Sequence, residues 1–348
     1  VVIDLFCYRK YVHNEGDEPA FTHPKMYELI RAMKSPAQLY AASLIEKDRM
    51  SAEEVSTLWT ACVDEFSDAH ASARRQNKVK EPSHLQGLWT RQVGGPDKSV
   101  PQVETGLPVA KLKTLLEPLA TVPDGFTLHP NILRGVIGAR QKMLRDEEPV
   151  DWGTGEMLAY ASLVVEGERI RVSGQDCERG TFAHRQAVLH DMKTGKQSFP
   201  LGALGPGPAL VVNSPLSEMA CLGFEFGYSL DCPDGLVVWE AQFGDFANNA
   251  QVIIDQFIAA AEDKWRRLSA MTLLLPHGYE GAGPEHSTAR MERFLELAAE
   301  DNIQVCYPTS AAQIFHLLRR QVRRAIRKPL VVMTPKSLLR LAEAKSPW

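Results

Sequence analysis

Apolar and polar positions change rhythm twice along this chain. Residues 1–8 form a near-continuous apolar run, the pattern of a strand buried in a parallel sheet. A polar loop with acids and prolines follows at 13–24. Residues 24–76 then carry helical signals. Pro24 suits the first turn of one helix, and Ser51 followed by Ala-Glu-Glu suits the cap of a second. Residues 77–109 are polar and rich in Pro and Gly, as a crossing segment is. Residues 110–148 read as helical again and end in the acidic run Asp146–Glu148.

From Asp151 short apolar runs alternate with helical stretches. A helix near 154–166 precedes strand 170–174. Helix 216–230 precedes strand 236–243, helix 248–268 precedes strand 271–276, and helix 288–300 precedes strand 303–308. Helix 310–324, strand 329–335 and a short last helix complete the series. Within 248–268, Ile253, Ile254, Phe257, Ile258, Ala261 and Trp265 recur at helical spacing and form one apolar stripe. Strands separated by helices of this length predict right-handed crossovers. The expected fold class is therefore α/β, a doubly wound, mostly parallel sheet preceded by a helical linker. Ligands of such sheets bind beyond the carboxyl ends of the strands, so loops 174–190, 243–248 and 276–287 are the ones to examine.

Composition narrows the function classes. The 348 residues are 44% hydrophobic and 24% charged, an ordinary globular balance with room for two or three domains. A net charge of −4 gives no general drive towards nucleic acid or anionic membrane. The Arg-rich stretch Arg319–Lys328 lacks interleaved aromatics and reads as the exposed face of helix 310–324, its last-turn cations favoured by the helix dipole. No apolar run approaches the roughly 20 residues that span a bilayer. The six cysteines show no CxxC pair and no zinc-like spacing, which suits core packing in a reducing compartment. The chain opens on an apolar run without an initiator Met, as a segment of a longer protein would.

One carboxylate stands out. Glu218 lies where a loop meets the helix at 216–230, with Ser214 and Pro215 placed to cap and start that helix. The next strand ends in Trp-Glu-Ala-Gln-Phe-Gly-Asp-Phe. An acid at the mouth of a parallel sheet beside a strand ending in Phe243 and Phe246 suits a flat, protonatable heterocycle such as an aminopyrimidine. The acid shares a proton with a ring nitrogen while an aromatic face stacks.

The runs IDLFCYRK with HNEGDEPAFT, SGQDCERGTFAHR, NSPLSEMACLGFEFGYS, WEAQFGDFANNAQ, LLLPHGYEGAGPEHS, and FHLLRRQ with KPLVVMTPKSLLR resemble the thiamine-diphosphate-dependent first component of the 2-oxoglutarate dehydrogenase complex. They cover residues 1–30 and most of 151–340, while 35–150 match loosely. The resemblance implies a thiamine-binding, transketolase-like pyrimidine domain at 151–348, a helical linker at 36–150, and the C-terminal end of a diphosphate-binding domain at 1–35. It implies thiamine diphosphate and Mg²⁺ as cofactors. The family's GDG-then-Asn motif is absent here, so the metal ligands are expected upstream of this chain.

Residue by residue, the resemblance makes Glu218 the acid that activates the aminopyrimidine, kept partly protonated by burial. Phe243 would stack on the pyrimidine and Phe246 wall its pocket. Gln175 would touch the cofactor across a dimer interface. His286, before Ser287, would handle protons during acyl transfer to lipoamide. His13 would reach the diphosphate, although Val12 stands where the family has Gly. His184, Arg185 and Gln186 match the family's substrate-facing His-Arg-His with Gln in the last position. A Gln accepts and donates hydrogen bonds but carries no charge. The implied reaction is oxidative decarboxylation of 2-oxoglutarate with succinyl transfer to lipoamide, in a homodimer partnered by the dihydrolipoyl succinyltransferase and dihydrolipoyl dehydrogenase. The implied compartment is a bacterial cytoplasm or a mitochondrial matrix. The same chemistry on 2-oxoadipate, or a catalytically silent assembly segment, are the alternatives.

Overall fold

A computed structural model describes residues 4, 5, 7–11, 14, 16–76, 85–278 and 283–348. The chain divides into two compact units, 1–82 and 83–348.

The first unit is helical. α1 (Pro24–Ala32) begins on a proline and turns Tyr27 and Ile30 inward. α2 (Pro36–Glu46) opens with a reciprocal capping box between Ser35 and Gln38. α3 (Ala52–Gln76) opens with the same device: Glu54 N donates to Ser51 Oγ at 3.1 Å, and Ser51 N to Glu54 Oε2 at 2.7 Å. Acids in its first turn and arginines in its last complement the helix dipole. The expected strand at 1–8 is not met where it can be judged. Asp4, Leu5, Cys7 and Tyr8 are exposed and lie in no strand; the other members fall outside the described residues. A strand is held by hydrogen bonds to a neighbouring strand, and the described residues of this unit contain none.

The second unit opens with a crossing segment and α4 (Val109–Leu119). α5 (Pro130–Ile132) runs through a π-turn at Leu133–Ile137 into α6 (Gly138–Leu144). α7 (Trp152–Val165) is buried almost all round, as a central helix must be. Asp151 caps it by accepting from Thr154 N at 2.8 Å. Gly153 allows the close approach of loop 174–190: a Cβ there would sit 2.1 Å from the His184 carbonyl oxygen.

The sheet follows the expected α/β design. β1 (Ile170–Gly174) is followed by a small antiparallel hairpin, β2 (Leu189–His190) with β3 (Gln197–Ser198), and by β4 (Ala209–Asn213). Then come α8 (Glu218–Leu230), β5 (Leu236–Glu240), α9 (Gln251–Ile253), α10 (Ala261–Trp265) and β6 (Thr272–His277). α11 (Met291–Leu297), β7 (Gln304–Cys306), α12 (Ala311–Arg323) and β8 (Leu330–Pro335) close the series. The strand order is β4-β1-β5-β6-β8-β7, with every pairing parallel. β5, β6 and β8 are buried at every position, which explains their unbroken apolar runs. α7 and α12 pack together and share one core with β1, β5 and β8.

Three expectations need correction. The helix at 248–268 is broken into a 3₁₀ segment (Gly244–Ala250), α9, a π-turn (Ile254–Ile258) and α10. Side chains take the carbonyls that a continuous helix would use: Asn302 Nδ2 donates to Ala259 O and Lys264 Nζ to Gln256 O, each at 2.9 Å. α8 is capped by Ser217, not by Ser214 and Pro215. The basic stretch is largely internal: Arg319, Arg324, Arg327 and Lys328 are buried. Arg319 donates to Thr105 O, Ser162 Oγ and Glu166, Arg324 pairs with Asp97, and Lys328 pairs with Glu262. Arg319 and Arg324 thereby tie α12 to the crossing segment, and Lys328 ties the start of β8 to α10.

Candidate functional site

Four adjacent strands, β4, β1, β5 and β6, deliver the expected site segments to one edge. The chain leaves β1 towards β4 and then resumes on the other side with β5, so the strand order reverses here, as at ligand sites of open α/β sheets. Glu218 follows β4, Gln175 follows β1, Phe243 and Phe246 follow β5, and His286 follows β6.

The structure gathers three of the expected residues directly. The Phe243 and His286 rings meet edge-on with centroids 4.3 Å apart, Phe246 and His286 at 5.4 Å, and Phe243 and Phe246 at 6.2 Å. Such edge-to-face contacts suit aromatic quadrupoles and hold each ring in one orientation. Phe182 adds a fourth ring, 5.7 Å from Phe243.

Glu218 is the first residue of α8. Asn249 Nδ2 donates to its Oε2 at a long 3.4 Å, which ties it to the 3₁₀ segment that Phe243 begins. Its carboxylate keeps unspent acceptor capacity. The expected burial is not present here: Glu218 is half-exposed at the start of its helix. Gln175 is exposed at the end of β1. His13 lies outside the described residues.

His184, Arg185 and Gln186 do not act as one group. The His184 side chain is 3% exposed, with Nε2 3.5 Å from Glu156 Oε2, and it lines a cleft of about 770 Å³ with Arg134, Arg140, Arg340 and Lys345. Gln186, in the left-handed region at φ 43°, lines a separate pocket of about 320 Å³ with His129, Asp176, Arg179 and His190. Arg185 is a correction. It is fully buried and donates to Glu156 Oε1 at 2.6 Å, to Cys177 O at 2.7 Å, and to both oxygens of Glu240. Four of its five N–H donors are engaged by the protein and the side chain is fully buried, which turns it away from a substrate-facing role. Burial opposes ionisation of Glu156, but the Arg185 charge and the neighbouring His184 outweigh it and hold the carboxyl down at about 2.

The Arg185 cluster is nonetheless tied to the site. Arg185 grips the end of β5, Thr181 Oγ1 donates to Gln242 O at 2.7 Å, and Gln242 Nε2 donates to Asp176 at 3.2 Å. These bonds join the loop after β1 to the loop after β5. Two participants escaped the sequence reading, Glu156 and Glu240. Each is a lone acid inside an apolar run, and a buried acid requires a cation.

Comparisons with known proteins identify the family. Residues 148–342 match the transketolase pyrimidine binding domain, and residues 1–82 match the dehydrogenase E1 component. The chain is 49% identical over 350 residues to the 2-oxoglutarate dehydrogenase E1 component of Brucella anthropi, covering 99% of this chain and 35% of that protein. It is 48% identical, with the same coverage, to the proteins of that name from Brucella canis and Brucella suis. The chain thus spans about a third of the length of these curated relatives.

Proposed function

Because the chain belongs to the transketolase pyrimidine-binding domain family, with a dehydrogenase E1 segment before that domain, we propose that it holds the aminopyrimidine half of thiamine diphosphate in a 2-oxo acid dehydrogenase. The proposed reaction is oxidative decarboxylation of 2-oxoglutarate with succinyl transfer to lipoamide. The proposed setting is a homodimer working with the dihydrolipoyl succinyltransferase and dihydrolipoyl dehydrogenase. The names of the relatives support the substrate. The convergence of Glu218, Gln175, Phe243 and His286 after four neighbouring strands carries the reading.

The residues fit the pyrimidine half. A flat heteroaromatic ring needs an apolar wall, which Phe243 and Phe246 provide, and an acid with free capacity, which Glu218 provides. The side-chain oxygen of Gln242 is also buried without a hydrogen-bond partner at this edge, as a site for a ring amine would be. Thiamine diphosphate, when bound, would supply an acidic C–H and an electron sink for decarboxylation. Glu218 holds the proton at a pyrimidine nitrogen. Phe243 and Phe246 orient the ring and exclude water, and His286 exchanges protons with the departing acyl unit. The diphosphate and Mg²⁺ fall to residues outside 83–348.

The outward face of α8 supports pairing of two subunits. Met219, Phe224 and Gly227 are exposed there, while Cys221, Leu222, Glu225 and Phe226 turn inward. A second subunit on this face would cover Glu218 and supply the burial missing from the single chain.

The test is Glu218→Gln in the full-length protein, assayed by ferricyanide-coupled decarboxylation. Turnover is expected to fall about 10²–10⁴-fold with the circular dichroism unchanged; near-normal turnover would refute the role. Gln186 favours a second reading, a different acid such as 2-oxoadipate, because the uncharged amide is buried against its pocket. Rates with both acids in the same assay decide between them.

A further inference from the structure

We propose that Asp245 is the positioning residue that sets the His286 ring against Phe243 and Phe246, and that it thereby governs acyl transfer. The inference deepens the proposed function and rests on it. Asp245 is 2% exposed, and its carboxylate is directed at the loop that carries His286. Oδ2 accepts from Ala289 N at 3.0 Å. Oδ1 accepts from Thr288 N and Thr288 Oγ1, each at 3.3 Å. Its backbone oxygen accepts from Arg290 Nε at 2.7 Å.

A buried carboxylate committed to backbone and hydroxyl donors is costly unless those donors are held in place. Here the holding runs both ways. Ala289 and Arg290 both have φ of 51°, a conformation unfavourable for residues with a Cβ. Two consecutive such residues persist only when their surroundings impose them. The amide of Ala289 and the guanidinium of Arg290 are the groups that Asp245 engages. Nearer His286, Gly278 N donates to His286 O at 2.7 Å and His286 N to Gly283 O at 3.2 Å. The loop is therefore pinned on both sides of the imidazole.

Gly244 makes this approach possible. A Cβ there would lie 2.5 Å from Ala289 Cβ and 2.7 Å from Leu275 Cβ. Phe243, Gly244, Asp245 and Phe246 thus supply, within four residues, two ring walls, the clearance and the anchor. The placement of His286 against its neighbours is set locally. A misplacement of about 1 Å at a reacting group costs on the order of 10²-fold in rate.

The experiment uses the full-length, thiamine-loaded protein and measures two half-reactions, ferricyanide-coupled decarboxylation and acylation of lipoamide. Asp245→Ala is expected to lower transfer about 10- to 100-fold more than decarboxylation. Asp245→Asn retains an acceptor oxygen and should recover most of the loss. In a His286→Ala background, Asp245→Ala should add little further loss of transfer, because both act through one group. Thr288→Val removes a donor from an exposed position and should give the same selective loss, about 2- to 10-fold, even if Asp245→Ala fails to fold. Equal losses in the two half-reactions, or losses that multiply in the double variant, overturn the inference alone. A wild-type protein inactive towards every 2-oxo acid overturns the proposed function and this inference together.

Discussion

At the residue scale, the buried charges explain more of this protein than its exposed ones do. Arg185 sits between Glu156 and Glu240 with no access to water. Removing the cation leaves two acids facing each other in the core. Arg185→Met is expected to cost about 3–5 kcal/mol, read from urea denaturation. Glu156 also predicts an acid limb. Its folded pKa, about 2, lies below the ordinary 4.5, so its contribution is complete above about pH 4.5 and is lost as pH falls towards 2. Denaturation midpoints should hold from pH 7 to about 5 and then decline, and in Glu156→Gln the decline should be shallower. Glu240, the lone acid in LVVWE, was missed along the chain, and so was its pairing with Arg185, because the resemblance assigned that arginine to substrate and 55 positions separate the two.

At the scale of elements, local chemistry foretold a great deal. Ser51 caps the helix that follows it as expected, and strands 170–174 and 329–335 fall within a residue of expectation. Capping and apolar period are properties of neighbouring residues, so they can be read along the chain. β4 escaped notice because its five residues run straight from a Gly/Pro-rich loop into the Glu218 loop. The breaks within 248–268 escaped because Asn302, on a distant loop, helps to make them. Gly153 tests how closely elements must approach. Gly153→Ala would place its Cβ against the His184 carbonyl and must push loop 174–190 away from α7. A loss of about 1–3 kcal/mol is expected, with faster hydrogen exchange across that loop. Unchanged stability and exchange would show that the contact is soft.

At the scale of the whole molecule, the proposed pairing of subunits has an exposed surface on which to be tested. Glu218 opens α8, whose outer face exposes Met219 and Phe224. Sedimentation of the full-length protein at micromolar concentration should give a dimer, and Phe224→Asp should shift it towards monomer. A wild-type monomer at every concentration would remove the second subunit from the proposed site. The sequence by itself determined the alternation of buried strands with helices and the carboxyl-edge loops, because each of these is written in local period and spacing. Only the tertiary structure decided which charges turn inward and which loop anchors which. Arg185 and Glu240 are 55 positions apart, and Arg324 and Asp97 are 227 apart. Nothing local to either partner encodes the other. The choice follows from the cost of burying an unpaired ion, which is settled only when distant elements pack.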